Sequence, residues 1–290
     1  AREALAAANE YAFLANNPEV TQWHLLKALV RQEGGIIAPL LEKMGIAASK
    51  IASVLDRQIQ SLPVQEGGGN TYLSAELKKI IQGAYAEADF DESNSLFVDL
   101  FAQHSGDWNT TGTILDLGCG PGDIAIRLAQ AWPDCKVHGL DGSEAMLAFA
   151  EQAKQAAPDA ADRVQFICDL VPVASLPCDS YQAVISNSLL HHLHDPSVLW
   201  STIKRFAAPG SPVLVMDLLR TQTLAEAQDL VDRYAGDDPA VLKTDFYNSL
   251  LAAFELNEVR DQLANAGLGN FAVEQVSDRH LAVSGHMPDA

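Results

Sequence analysis

The chain has 290 residues, 48% of them hydrophobic, with 19 Lys or Arg against 38 Asp or Glu and a formal charge of −19. Such a surface repels phosphate backbones and offers no basic stripe, which argues against a DNA- or RNA-directed protein. The length allows one or two domains with real cores, and no apolar run is long enough to span a bilayer.

The chain lacks an initiator Met and opens inside what reads as a helix, as a fragment would, and no signal peptide is evident. Ala4, Leu5, Ala8, Tyr11, Ala12 and Ala15 recur at helical spacing, and Asn16-Asn17-Pro18 ends that helix. Thr21 is positioned to cap a helix over 22–30, and Gly34-Gly35 breaks it. Residues 36–44 and 48–60 predict two more helices around Gly45. Pro63 and Gly67-Gly68-Gly69-Asn70 predict a loop, after which Ser74 caps a helix running into the eighties. Leu96, Phe97, Leu100 and Phe101 form a further helical stripe.

From residue 113 strands and helices alternate. Strands are predicted at 113–117, 136–140, 164–167, 181–186 and 213–216, with helices at 123–131, 143–156 and 196–208 between them. This alternation predicts an α/β fold, a doubly wound, mostly parallel sheet. Residues 224–266 read as helical and acidic, and 271–276 with 279–283 read as a closing antiparallel hairpin.

The richest stretch is Thr113-Ile114-Leu115-Asp116-Leu117-Gly118-Cys119-Gly120-Pro121-Gly122-Asp123. It reads as a buried strand, a bare glycine turn and a helix N-terminus, the parts of a nucleotide-type crevice. A dinucleotide fingerprint needs glycine at the sixth position, where this chain has Asp123, and no Walker loop is present. Asp141 ends the second strand 21 residues after Gly120, where an acid accepts hydrogen bonds from ribose hydroxyls; nicotinamide enzymes use the same device.

D-x-G-x-G-x-G resembles the first motif of class I S-adenosylmethionine-dependent methyltransferases. The resemblance covers residues 85 to about 285 and implies a Rossmann-like fold that transfers a methyl group to a small molecule, without metal. It implies that Asp116 meets the cofactor's ammonium and that the N–H groups of the Gly118, Cys119, Gly120 and Gly122 turn meet its carboxylate. It places Asp141, Gly142, Ser143 and Met146 along the cofactor, Asp169 at the adenine amino group with Leu170 beside the ring, and Asn187 on the adjoining loop. Asn187-Ser188-Leu189-Leu190-His191-His192-Leu193 resembles the loop of small-molecule methyltransferases, which makes His191 and His192 candidates for the acceptor site. Tyr247, with Asp217, Arg220 and Asp245, falls on segments that cover the acceptor in that family.

The first 83 residues resemble the N-terminal domain of Clp-type chaperones. The words are Thr21-x-x-His24-Leu25-Leu26-x-Ala28-Leu29, Leu40-Leu41-Glu42-Lys43-Met44-Gly45 and Leu62-Pro63 with the glycine linker before Tyr72-Leu73-Ser74. Only one helical repeat and part of a second are present. The implied role is an interaction module, for a protein partner or for self-association, and His24 reads as a helix-start residue. The expected organisation is an all-helical domain over 1–83 and a methyltransferase domain over 84–290, with the seam near Gly83–Glu87. Cys119, Cys135, Cys168 and Cys178 form no metal-type pair and fit free thiols in a cytoplasmic protein. An oxidoreductase using NAD, a cofactor binder without turnover and a pure interaction module are the competing readings.

Overall fold

A computed structural model describes residues 2–32, 35, 37–65, 71–77, 80, 91–106, 111–236, 238 and 240–289. They fall into two compact units, one of residues 1–88 with 229–247 and one of residues 89–228 with 248–290.

The N-terminal unit opens with α1 (Arg2–Leu14), β1 (Glu19–Val20), α2 (Gln22–Arg31), α3 (Ile37–Lys43), α4 (Ala48–Gln60) and β2 (Tyr72–Leu73). Ala4, Ala8 and Ala12 are buried along α1, where small side chains let a neighbouring helix approach. Thr21 precedes α2, and its N–H donates to His24 Nδ1 at 3.0 Å, the bond a capping box usually takes from Glu or Gln. Because Nδ1 accepts, Nε2 carries the ring hydrogen, and it reaches Asn17 Oδ1 at 3.1 Å. Asn17 Nδ2 in turn donates to the Pro63 carbonyl at 2.9 Å. His24 is thus the helix-start residue its position implied, fully buried. The parallel β1–β2 pair, Glu19 with Tyr72 and Val20 with Leu73, was not foreseen, because two-residue strands carry no periodicity. Ser74 Oγ accepts from the Leu77 N–H at 3.2 Å as a cap should. The seam expected near Gly83–Glu87 lies outside the described residues.

The larger unit begins with α5 (Asp91–His104), followed by β3 (Gly112–Leu117), α6 (Asp123–Ala131), β4 (Cys135–Asp141), α7 (Glu144–Gln155), β5 (Val164–Cys168), β6 (Ala183–Asn187), α8 (Ser197–Phe206) and β7 (Pro212–Leu218). Residues 224–266 divide into α9 (Leu224–Tyr234), α10 (Ala240–Ala252) and α11 (Leu256–Ala266), not one continuous run. The last break is marked by Glu255, whose N–H donates to Glu258 Oε2 at 2.8 Å to start α11. The hairpin β8 (Ala272–Gln275) and β9 (His280–His286) follows.

The sheet order is β5-β4-β3-β6-β7-β9-β8, parallel except where β9 pairs antiparallel with β7 and β8. The chain winds outward in both directions from β3, so the order reverses there and the crevice opens at the carboxyl ends of β3 and β6. Alternation along β3 sends Leu115 and Leu117 into one core layer, with Trp200, Ile203 and Val213. Ile114 goes to the other, with Phe97 and Phe101 of α5, Ile124 and Leu128 of α6, and Met216. The helix stripe read at 96–101 is therefore a packing face that covers the sheet beside the crevice. Tyr181, expected to begin the fourth strand, instead makes an isolated bridge to Ala207.

Candidate functional site

The turn after β3 owes its shape to its glycines. Gly118 has φ +75° and Gly122 φ +86°. A Cβ on Gly122 would stand 2.6 Å from the Phe166 ring, and one on Gly118 would press Leu189 at 3.0 Å. The second contact ties the turn directly to the loop that carries His191.

The turn uses its own N–H groups. Gly118 and Cys119 both donate to the Leu140 carbonyl, at 2.7 and 3.0 Å, and Gly122 donates to the Cys119 carbonyl at 3.0 Å. Gly120 donates to Asp141 Oδ2 at 2.9 Å. All four N–H groups thus have partners within the chain, and these bonds fold the loop.

Asp116 is 1% exposed, and its Oδ2 has no hydrogen-bond partner among the described residues. Burial, and then the charge of Asp141, push its carboxyl up to about 8. An orphaned carboxylate oxygen at the carboxyl end of the switch-point strand is suited to a cationic ligand group. Asn187, at the end of β6, carries a second orphaned acceptor, Oδ1.

Asp141 is buried at the end of β4, with Oδ1 accepting from the Ser143 N–H at 2.8 Å and Oδ2 from Gly120. A carboxylate oxygen can accept more than one hydrogen bond, so ribose hydroxyls remain compatible with it. Ser143 caps α7 through the Met146 N–H at 3.3 Å. Met146 is fully buried beneath this turn. Asp169 is exposed and turns its Oδ1 onto the Leu170 N–H at 2.8 Å, while Leu170 is 70% exposed. A Cβ on Gly142 would overlap the Leu170 side chain at 2.2 Å, so the bare backbone of Gly142 is what lets Leu170 lie over it.

The loop after β6 holds the second feature. His191 Nδ1 lies 2.5 Å from Asp217 Oδ1, and their side chains are 4% and 2% exposed. His192 is exposed and its ring centroid is 4.0 Å from that of His191. His194 is exposed. Asp217 was recognised in the sequence only as lying on a covering segment; its partnership with His191 was missed. The available signal was an acid ending an apolar strand, as at Asp116 and Asp141. Arg220 donates to the Ala253 carbonyl at 2.7 Å and to Glu258 at 3.0 Å, bracing α11. Tyr247 lies half-buried on α10, within the segment 229–247 that belongs to the N-terminal unit. Among the described residues no three His, Cys, Asp or Glu side chains gather as metal ligands do.

Residues 114–210 match the methyltransferase domain family, and residues 1–100 match the Clp repeat N-terminal domain family. The chain carries both domains. The Clp repeat domain is similar to the chaperone protein ClpB of Rhodopirellula baltica, 34% identical over 89 residues, which are 31% of this chain and 10% of that protein. The methyltransferase domain is similar to malonyl-[acyl-carrier protein] O-methyltransferase of Bacillus cytotoxicus, 29% identical over 120 residues, which are 41% of this chain and 40% of that protein. The chain thus spans less than half the length of either relative. The plantazolicin methyltransferase BpumL, solved in complex with SAH, superposes with a TM-score of 0.55 at 15% identity, covering 74% of this chain and 91% of that one. The methyltransferase domain therefore has the class I architecture: a Rossmann-like, mostly parallel sheet closed by an antiparallel hairpin.

Proposed function

We propose that the methyltransferase domain binds S-adenosylmethionine at the carboxyl ends of β3 and β4 and transfers its methyl group to a small-molecule acceptor. The observation that carries this reading is the orphaned, buried carboxylate oxygen of Asp116 beside the glycine turn, a site waiting for a cationic hydrogen-bond donor. When bound, the cofactor supplies a methyl group on a sulfonium centre, open to in-line displacement.

The chain's own residues would then divide the work. Asp116 receives the ammonium group, Asp141 receives the ribose hydroxyls, and Leu170 with Asp169 flanks the adenine. The first turn of α6 faces the carboxylate. His191 and His192 border the acceptor, and Tyr247 is a further candidate. Holding an acceptor atom in line with the methyl group contributes about 7–11 kcal/mol in well-aligned systems. Residues 1–83 are proposed as an interaction module for a protein partner or a second copy.

Calorimetric titration with S-adenosylhomocysteine and, separately, NAD tests the assignment. Saturable binding of the former, lost in Gly120→Asp and weakened in Asp141→Ala, supports it. Binding of NAD alone overturns it.

A further inference from the structure

The pairing of His191 with Asp217 bears on the chemical nature of the acceptor, an inference that rests on the methyl-transfer reading. Three N–H groups converge on the buried Asp217 carboxylate. Leu190 donates to Oδ2 at 2.7 Å, Leu218 to Oδ1 at 2.7 Å, and His191 Nδ1 lies 2.5 Å from Oδ1. An acceptor-only carboxylate makes Nδ1 the donor, which leaves the lone pair of a neutral ring on Nε2. Nε2 has no hydrogen-bond partner among the described residues. The ring is also held in place by His192, 4.0 Å away. Its loop packs through Leu189 against the position where Gly118 lacks a Cβ, which joins the loop that carries His191 to the turn of the proposed cofactor crevice.

A fixed, unpartnered imidazole nitrogen is useful only to an acceptor that brings a proton. A carboxylic acid, with a pKa of about 4, arrives as the anion and has none to give. An aliphatic amine, with a pKa of about 10, sheds its extra proton to water before it binds and then presents a free lone pair, so it needs no base during methyl transfer. A hydroxyl oxygen is a feeble nucleophile until its proton leaves, so a base in contact with it acts on the methyl-transfer step itself. We infer that the acceptor is a hydroxyl of phenolic or enolic type, that His191 Nε2 is the base that takes its proton, and that Asp217 is the positioning residue that fixes the ring.

The step balances. The acceptor O–H bond breaks and its proton goes to Nε2. An acceptor oxygen lone pair forms the new O–C bond as the C–S bond opens, and that bond's electron pair stays on sulfur. Imidazolium then returns the proton to water.

The test has three arms. Calorimetry with S-adenosylhomocysteine comes first, and no binding there rejects the cofactor reading itself. The second arm is ¹⁵N NMR of the His191 ring in the S-adenosylhomocysteine complex. The Nδ1–H tautomer is expected, and it is lost in Asp217→Asn. A ring protonated on Nε2 when neutral overturns the proposal. The third arm offers the protein and S-adenosylmethionine a panel of phenols of graded acidity, an aliphatic carboxylate and a primary amine, with products read by mass spectrometry. Methylated phenols are expected. Asp217→Asn should lose about 10²–10⁴-fold with weakly acidic phenols and under tenfold with phenols already ionised at the assay pH. A preference for the carboxylate or the amine, no methylated phenol despite bound S-adenosylhomocysteine, or an equal loss across the phenols overturns it.

Discussion

The backbone N–H of Gly120 donates to Asp141 Oδ2 at 2.9 Å, joining the turn after β3 to the end of β4. The same carboxylate holds the Ser143 N–H at the start of α7. One side chain therefore sets the relative position of the turn after β3 and the turn that starts α7. Asp141→Ala removes two charge-assisted hydrogen bonds and should destabilise the free protein by at least about 2 kcal/mol, read by urea denaturation. Calorimetry should show at least tenfold weaker binding of S-adenosylhomocysteine in the same variant. An unchanged denaturation midpoint would show that the loop is held by its Leu140 contacts alone.

Ligand binding should be coupled to a proton through Asp116. Burial holds its carboxyl protonated up to about pH 8. An ammonium group on Oδ2 stabilises the ionised form, so binding at pH 7 should release close to one proton. Affinity should rise with pH and level off above about 8. Because the folded value is raised, the contribution of Asp116 to the stability of the free protein is full below about pH 4 and is lost as pH rises through about 8. Titrations of S-adenosylhomocysteine in buffers of different ionisation enthalpy measure the released proton. Asp116→Asn should abolish the release, and a wild-type value near zero rejects the coupling.

Two buried histidines make both units acid-sensitive. Burial lowers His24 to about 4, with the nearby Lys27 charge adding to the effect. His280, bonded to Ser277 Oγ at 2.9 Å, is lowered to about 4 by burial and then by Arg279. In each case the folded state favours the neutral ring. The stabilisation is present above about pH 6.5 and is lost as pH falls towards 4. Melting temperature should fall by several degrees between pH 7 and pH 5. His24→Gln keeps an acceptor for the Thr21 N–H and removes the titration, so it should flatten the acid dependence of the N-terminal unit. A variant as acid-sensitive as wild type would assign the effect elsewhere.

Gly122→Ala should be costly. The backbone there is left-handed, and the new methyl group meets the Phe166 ring at 2.6 Å and the Ala150 methyl at 2.9 Å. The conformational part alone is about 1–2 kcal/mol. A lowered denaturation midpoint together with lost S-adenosylhomocysteine binding is expected. Gly45→Ala, at φ +74° with nothing nearby, isolates the backbone share.

Asp116 and Asp141 were legible from sequence because an acid ending an apolar strand is a local pattern. The glycine turn was legible too, but not the destination of its N–H groups, since Leu140 and Asp141 reach it only once β4 pairs with β3. His191 and Asp217 are 26 residues apart on separate elements, and only the β6–β7 pairing brings their ends together. Within 224–266 the break between α9 and α10 was legible in Gly236 and Pro239, whereas Ala253-Phe254-Glu255, between α10 and α11, contains no helix breaker to mark the second. The β1–β2 pairing was invisible for the opposite reason: each strand is too short to show a pattern.

The hairpin that closes the sheet is threaded out of turn. β8 is synthesised before β9, yet it is β9 that lies against β7, with β8 outside it. Until residues 280–286 have been made, the full length of β7 from Pro212 to Leu218, all apolar save Asp217, has one unpaired edge. A chain cut short before that point would expose a ready template for pairing with another chain. Loss of β9 by truncation or proteolysis should therefore appear first as self-association, ahead of any change at the crevice.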